Sequence, residues 1–105
     1  MAQNENEDIA YQEVNNDIYS LRLYITGMTP NCRKAVENIK TICEKYLLEN
    51  YELEIIDMYQ EPELTIEHQI LASPTLVRLR PLPVKKLLGN LSDFDKVITV
   101  LNLKK

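Results

Sequence analysis

Residues 20–57 combine an alternating apolar segment, a Thr-Pro helix start, a long amphipathic stretch and a second alternating segment, and this order leaves few folds open. Leu21, Leu23 and Ile25 alternate with Arg22, Tyr24 and Thr26, the two-residue period of a strand. Gly27 and Met28 lead to Thr29-Pro30. Thr is a good N-cap, and Pro suits the first helical position because the N–H it lacks would have no partner there. Cys32, Ala35, Val36, Ile39, Ile42, Cys43 and Tyr46 then recur at spacings of three and four, with charged and polar residues on the other face. A second strand is predicted from Tyr51 to Asp57, with Leu53 and Ile55 on one face. Strand, helix and strand with a short return predict a parallel β-α-β unit.

The rest of the chain continues in the same register. Pro62 opens a short helical stretch through Leu64, Ile66, Ile70 and Leu71, which Ala72-Ser73-Pro74-Thr75 breaks. Thr75–Arg80 reads as a third strand, and Pro81 and Pro83 make a stiff turn into a fourth, Val84–Leu88, paired with it as a hairpin. Gly89-Asn90 is a turn. Ser92, with Asp95 three residues on, resembles a capping box ahead of a final helix carrying Phe94, Val97, Ile98 and Leu101. The predicted order is β-α-β, then α-β-β-α, which is that of the thioredoxin fold. Residues 1–17, rich in Asn, Glu and Gln, carry too little apolar surface to offset ordering and read as a flexible tail. Residues 18–105 form one domain.

Composition narrows the function. A chain of 105 residues with a net charge of -4 has one modest core and no bulk attraction to nucleic acid. No apolar run approaches the roughly 18–20 residues that would span a bilayer, and the acidic N-terminus is unlike a signal peptide, so a cytoplasmic protein without membrane attachment is expected. Cys32 and Cys43 on one helix stand roughly 16 Å apart at about 1.5 Å per residue, beyond disulfide reach. Both are expected to be free thiols.

Several segments together resemble the circadian-clock KaiB family. They are Leu23-Tyr24-Ile25-Thr26-Gly27-Met28-Thr29-Pro30-Asn31, Ile55-Ile56-Asp57, Glu61-Pro62-Glu63-Leu64, Ile70-Leu71-Ala72-Ser73-Pro74-Thr75-Leu76 and Leu87-Leu88-Gly89-Asn90-Leu91-Ser92. Ser73-Pro74-Thr75 also resembles the thioredoxin-like loop whose proline is cis, which marks Pro74 as a cis-proline candidate. The resemblance implies an α/β, thioredoxin-like domain with an N-terminal β-α-β core. It leaves two arrangements open for the C-terminal half, that of the family's resting tetramer and the full thioredoxin-like one. It further implies a homo-oligomer (dimer or tetramer), docking on a KaiC-type ATPase, and dealings with a KaiA-like protein and a sensor histidine kinase. Two positions usually Gly and Asp in the family hold Val100 and Asn102 here; with Gly89 they are the residues expected to weigh on the balance between arrangements. A KaiB-fold stress-response adaptor that has lost KaiC is the alternative those departures favour.

The chemistry-bearing residues point to binding. Thr29-Pro30-Asn31-Cys32 stands where a thioredoxin carries Cys-x-x-Cys, but the attacking position is Thr29. Cys32 on the apolar face is therefore read first as a small core residue and only second as a thiol activated by the helix N-terminus. His68 is the one histidine, and Asp57, Glu61 and Glu63 read as a solvated acidic loop more than a metal or acid–base site. With two glycines in the chain there is no phosphate loop. No cofactor and no enzymatic activity are expected. Arg22, Lys34, Arg78, Arg80, Lys85 and Lys86 are the candidate docking surface for an acidic partner, with Tyr24 among the candidate aromatic anchors Tyr19, Tyr24, Tyr51 and Tyr59.

Overall fold

The computed structural model describes residues 18–103; the segment 1–17 lies outside the described residues. The elements in chain order are β1 (Tyr19–Ile25), α1 (Pro30–Tyr46), β2 (Tyr51–Asp57), α2 (Pro62–Glu67), β3 (Thr75–Arg80), β4 (Lys85–Leu88) and α3 (Phe94–Leu101). They form one four-stranded sheet in the order β2-β1-β3-β4. β1 runs parallel to β2, with Leu21 beside Leu53 and Leu23 beside Ile55. β1 and β3 are antiparallel, as are β3 and β4. The C-terminal half therefore stands in the thioredoxin-like arrangement.

The two faces of the sheet bury different sets. Leu21, Leu23, Ile25, Leu76 and Leu87 meet Ala35, Ile39, Ile42 and Cys43 of α1 and Val97, Ile98 and Leu101 of α3 in the main core. On the other face Tyr24, Ile56, Ile70 and Val77 form a smaller cluster, with Leu64 of α2 packed against it. Burial of each such side chain contributes roughly 1.5–3 kcal/mol, so the main core dominates stability.

Local chemistry explains the boundaries. The Thr29 hydroxyl accepts from the Cys32 N–H at 3.2 Å and caps α1, with Pro30 in its first turn. The helix beginning at Pro62 ends at Glu67, short of Ile70 and Leu71. Gln69 turns left-handed (φ 56°) and directs Ile70 into the smaller cluster, while Leu71 stays exposed. The fourth strand starts at Lys85 rather than Val84. At α3 the expected Ser92 cap is displaced by one residue: the Asp93 carboxylate accepts from the Lys96 N–H at 3.2 Å, and the Ser92 N–H donates to Asn90 Oδ1 at 3.0 Å. Asn102 lies just beyond α3, with φ 60° and ψ 46°, and its N–H closes the last turn on Ile98 and Thr99.

Candidate interaction surface

The sheet has two distinct ends. The C-terminal end of β1 lies beside the start of β3 and the end of β4, through the pairs Tyr24 with Thr75 and Thr75 with Leu88. The opposite end gathers Tyr19, Arg80 and Lys85, since Ser20 pairs with Arg80 and Arg78 with Lys85. The candidate cations divide between these ends.

At the hairpin end, Arg80 and Lys85 are exposed. Lys86, one residue further along β4, is also exposed, and its ammonium donates to the His68 carbonyl. Leu82 (76% exposed) and Val84 (42%) lie between these charges in sequence, so cationic and apolar groups share one short edge. β4 occupies the sheet margin, leaving one of its sides without a strand neighbour among the described residues. Lys34 stands apart, on the first turns of α1, where Met28, Pro30, Arg33, Lys34 and Glu37 line a shallow groove of about 340 Å³.

Three expected surface residues are not free surface. Arg78 is 3% exposed: its guanidinium lies under the end of α3 and donates from Nη1 to the Leu101 carbonyl at 2.6 Å and from Nη2 to the Pro83 carbonyl at 2.8 Å. Alternation placed Arg78 and Arg80 on one strand face, but that face is solvated only at Arg80, where β3 passes the edge of α3. Tyr24, expected as an exposed anchor, is fully buried and packs in the smaller cluster on the α2 face. Its hydroxyl accepts from Arg22 Nη1 at 3.2 Å and donates to the Leu64 carbonyl at 3.4 Å. Arg22 is itself half-buried and paired, to Glu54 at 3.0 Å and Glu67 at 3.5 Å. The hydrogen bond with Tyr24 and the bond to Glu54 outweigh burial and hold its guanidinium still more firmly protonated.

The Cys-x-x-Cys position lies at the other end. The Ser73–Pro74 peptide is cis, Pro74 is buried, and the Ser73 and Thr26 hydroxyls share a hydrogen bond of 2.7 Å. Cys32 is 1% exposed. Burial alone would raise its thiol, but hydrogen bonds from the Thr29 hydroxyl, the Thr26 backbone and the Ser73 hydroxyl hold it below the usual thiol range. Burial pushes the Cys43 thiol up to about 12. Both cysteines are free. Asp57 is occupied by its own loop, with Oδ1 accepting the Tyr59 N–H at 2.9 Å, and among the described residues no acidic or His/Cys cluster could hold a metal ion.

The remaining predicted residues shape the C-terminal half. Gly89 has φ 116°, which L side chains rarely adopt, and its N–H donates to the Pro74 carbonyl at 2.9 Å. Val100 is half-buried against the main core. The Asn102 carbonyl accepts the Tyr19 hydroxyl at 2.8 Å. Sequence reasoning missed the Asn38 amide, which donates to the Asn90 carbonyl at 2.8 Å and ties α1 to the turn after β4. Its position on the border of the helical apolar stripe was the one available signal.

Comparison with known proteins follows the same outline. The KaiB domain profile matches residues 22–103. The circadian clock oscillator protein KaiB of Gloeothece citriformis is 45% identical over 85 residues, covering 81% of this chain and 80% of that protein. Its counterpart from Synechococcus elongatus is 44% identical and covers 81% and 83%. Among solved structures, the N-terminal domain of Synechococcus elongatus SasA matches with a TM-score of 0.67 at 21% identity, over 81% of this chain and 84% of that one. The germline-specific thioredoxin Deadhead of Drosophila melanogaster matches with a TM-score of 0.67 at 20% identity, over 92% and 90%. At such identities the structural likenesses are likenesses of fold.

Proposed function

The chain belongs to the KaiB family, and from that premise we propose that it is a regulatory binding protein that docks on a KaiC-type ATPase and modulates its phosphorylation and timing output. The observation that carries this reading is the continuity of the KaiB match over 22–103, which takes in both the β-α-β core and the whole C-terminal half. The relatives are named as circadian clock oscillator proteins, a regulatory rather than a catalytic role. A redox reading is not favoured, because Thr29 stands at the attacking position and Cys32 is buried beneath it.

Arg80 and Lys85, with Lys86 beside them, are the cations we assign to the docking surface; Lys34 would belong to a second contact at the other end of the sheet. Charges at an interface rim mainly speed encounter and set specificity, so the complex should weaken with salt. A KaiA-like protein and a sensor histidine kinase are the further partners that family membership suggests. Val100 adds apolar surface to the core and Asn102 accommodates the left-handed cap, so both weight the chain toward the arrangement seen here. We place the protein in the cytoplasm; among the described residues no helix is long and apolar enough to cross a membrane.

Co-elution of the full chain with the KaiC-type ATPase from the same source tests the proposal, with ATP, over hours of incubation and at two salt concentrations. A slowly forming, salt-sensitive complex is expected. No complex at any time would leave the family and fold intact and reject this function, turning attention to a stress-response partner.

A further inference from the structure

Residues 1–17 carry five carboxylates, Glu5, Glu7, Asp8, Glu13 and Asp17, and no lysine or arginine. Of the 16 acidic residues in the chain, eleven therefore remain in 18–105, together with all 12 lysines and arginines. The net charge of -4 is thus concentrated in the first 17 residues, and the domain that follows is slightly basic. The same segment intersperses apolar groups, Ile9, Tyr11 and Val14, with its acids. It joins the domain at the end of the sheet where the hairpin turns, since Tyr19 opens β1 and Ser20 pairs with Arg80. There Arg80 and Lys85 are exposed, and neither takes part in an ion pair among the described residues. Leu82 and Val84 lie exposed between them. On the β2 side of this end stand Glu49 and Glu52, both exposed, whose like charge turns an acidic segment away.

We propose that the acidic segment 1–17 of the same chain occupies the hairpin edge formed by Arg80, Leu82, Val84 and Lys85. Carboxylates meet the two cations, and the interspersed apolar groups meet Leu82 and Val84. The reach is short. β4 lies two strands from β1, about 10 Å at 4.7–4.9 Å per strand, and extended chain covers about 3.3–3.6 Å per residue. The groove at Met28, Arg33 and Lys34 is the weaker competitor, because Glu37 lines it and it stands at the far end of the seven-residue β1. Single exposed ion pairs are weak, but a short tether holds the segment at an effective concentration of about a millimolar. A contact too weak to join separate molecules is thereby populated within one chain. Both sides of it belong to this protein, so it needs no partner. Where the proposed docking on an ATPase holds, the segment competes for the same cations and slows association while in place.

Carbodiimide coupling of the full chain tests the contact, using an equimolar mixture of isotope-labelled and unlabelled protein read by peptide mass spectrometry. At about 0.01 M salt the screening length is about 30 Å, and at about 1 M it is about 3 Å. At the lower salt, links from Glu7, Asp8 or Glu13 to Lys85 should dominate and should join peptides of like label. At the higher salt their yield should fall severalfold. Arg80→Gln, which leaves every lysine in place, should also lower the yield at Lys85. As an independent reading, the full chain carrying Glu5→Gln, Glu7→Gln, Asp8→Asn and Glu13→Gln should shift the amide resonances of Arg80, Leu82, Val84 and Lys85 and leave those of Lys34 and Glu37 in place. Three outcomes would each overturn the contact: links spread over Lys34, Lys40 and Lys96 as freely as over Lys85, unshifted hairpin resonances, or links chiefly between chains of unlike label, which would make the occupant a second copy.

Discussion

At the scale of the residue, position 102 shows how one backbone angle selects a side chain. Asn102 sits at φ 60° and ψ 46° and closes α3 with its own N–H. Asparagine tolerates the left-handed region, glycine does so freely, and alanine meets a steric penalty there. Asn102→Ala should lower stability by about 1 kcal/mol in urea titration, and Asn102→Gly should leave it unchanged or slightly raised. Equal losses in both would mean that the side chain, not the angle, is what matters. The cysteines supply a second test. The buried Cys43 thiol, pushed up to about 12, stays protonated in the folded chain where the unfolded chain ionises it, from about pH 8.5 upward. The stability it contributes is whole below that pH and is lost as the pH climbs toward its folded value. Cys43→Ala should therefore flatten the alkaline decline of the urea midpoint; parallel declines in the two proteins would contradict the shift. Cys32, held below the usual range, should alkylate ahead of Cys43 when both are read by mass spectrometry.

At the scale of the element, the start of α1 combines two tasks. Thr29 caps the helix through its hydroxyl, and the same hydroxyl is among the groups that lower the Cys32 thiol. Thr29→Ala should cost about 1 kcal/mol of stability and slow Cys32 alkylation, whereas Thr29→Ser should do neither to the same degree. A loss of stability with unchanged labelling would separate the two roles. The short α2 is a contrasting case. It offers no buried residue of its own, only the half-buried Leu64 and Thr65, and it is held by the Tyr24 hydroxyl on the Leu64 carbonyl and by Arg22 bridging Glu54 and Glu67. That explains why its apolar spacing overstated its length: Ile66 points outward, 73% exposed, and the chain has already turned before Ile70 enters the core.

At the scale of the whole molecule, the cations separate into those that hold the fold and those that face out. Arg22 and Arg78 belong to the first group; Lys34, Arg80, Lys85 and Lys86 belong to the second. Charge reversal at Arg80 and Lys85 together should slow association with the KaiC-type ATPase and reduce its salt dependence, with little change in the urea midpoint. A complex indifferent to that double variant would move the interface away from the hairpin. The β-α-β unit, the hairpin and the free cysteines were legible from local pattern, because period, capping residues and helical rise act over neighbouring residues. The family, too, was legible in the linear segments that carry its resemblance. What local pattern could not say was which of two like-charged strand residues would be covered, since Arg78 and Arg80 share a face and differ only in where α3 ends above them. Nor could it place Tyr24 under α2, or seat the cap of α3 on Asp93 instead of Ser92. The order of the elements was decided along the chain by backbone periodicity; the burial of Arg78 and Tyr24 was decided only when distant elements closed over the sheet and chose which polar groups their carbonyls would satisfy.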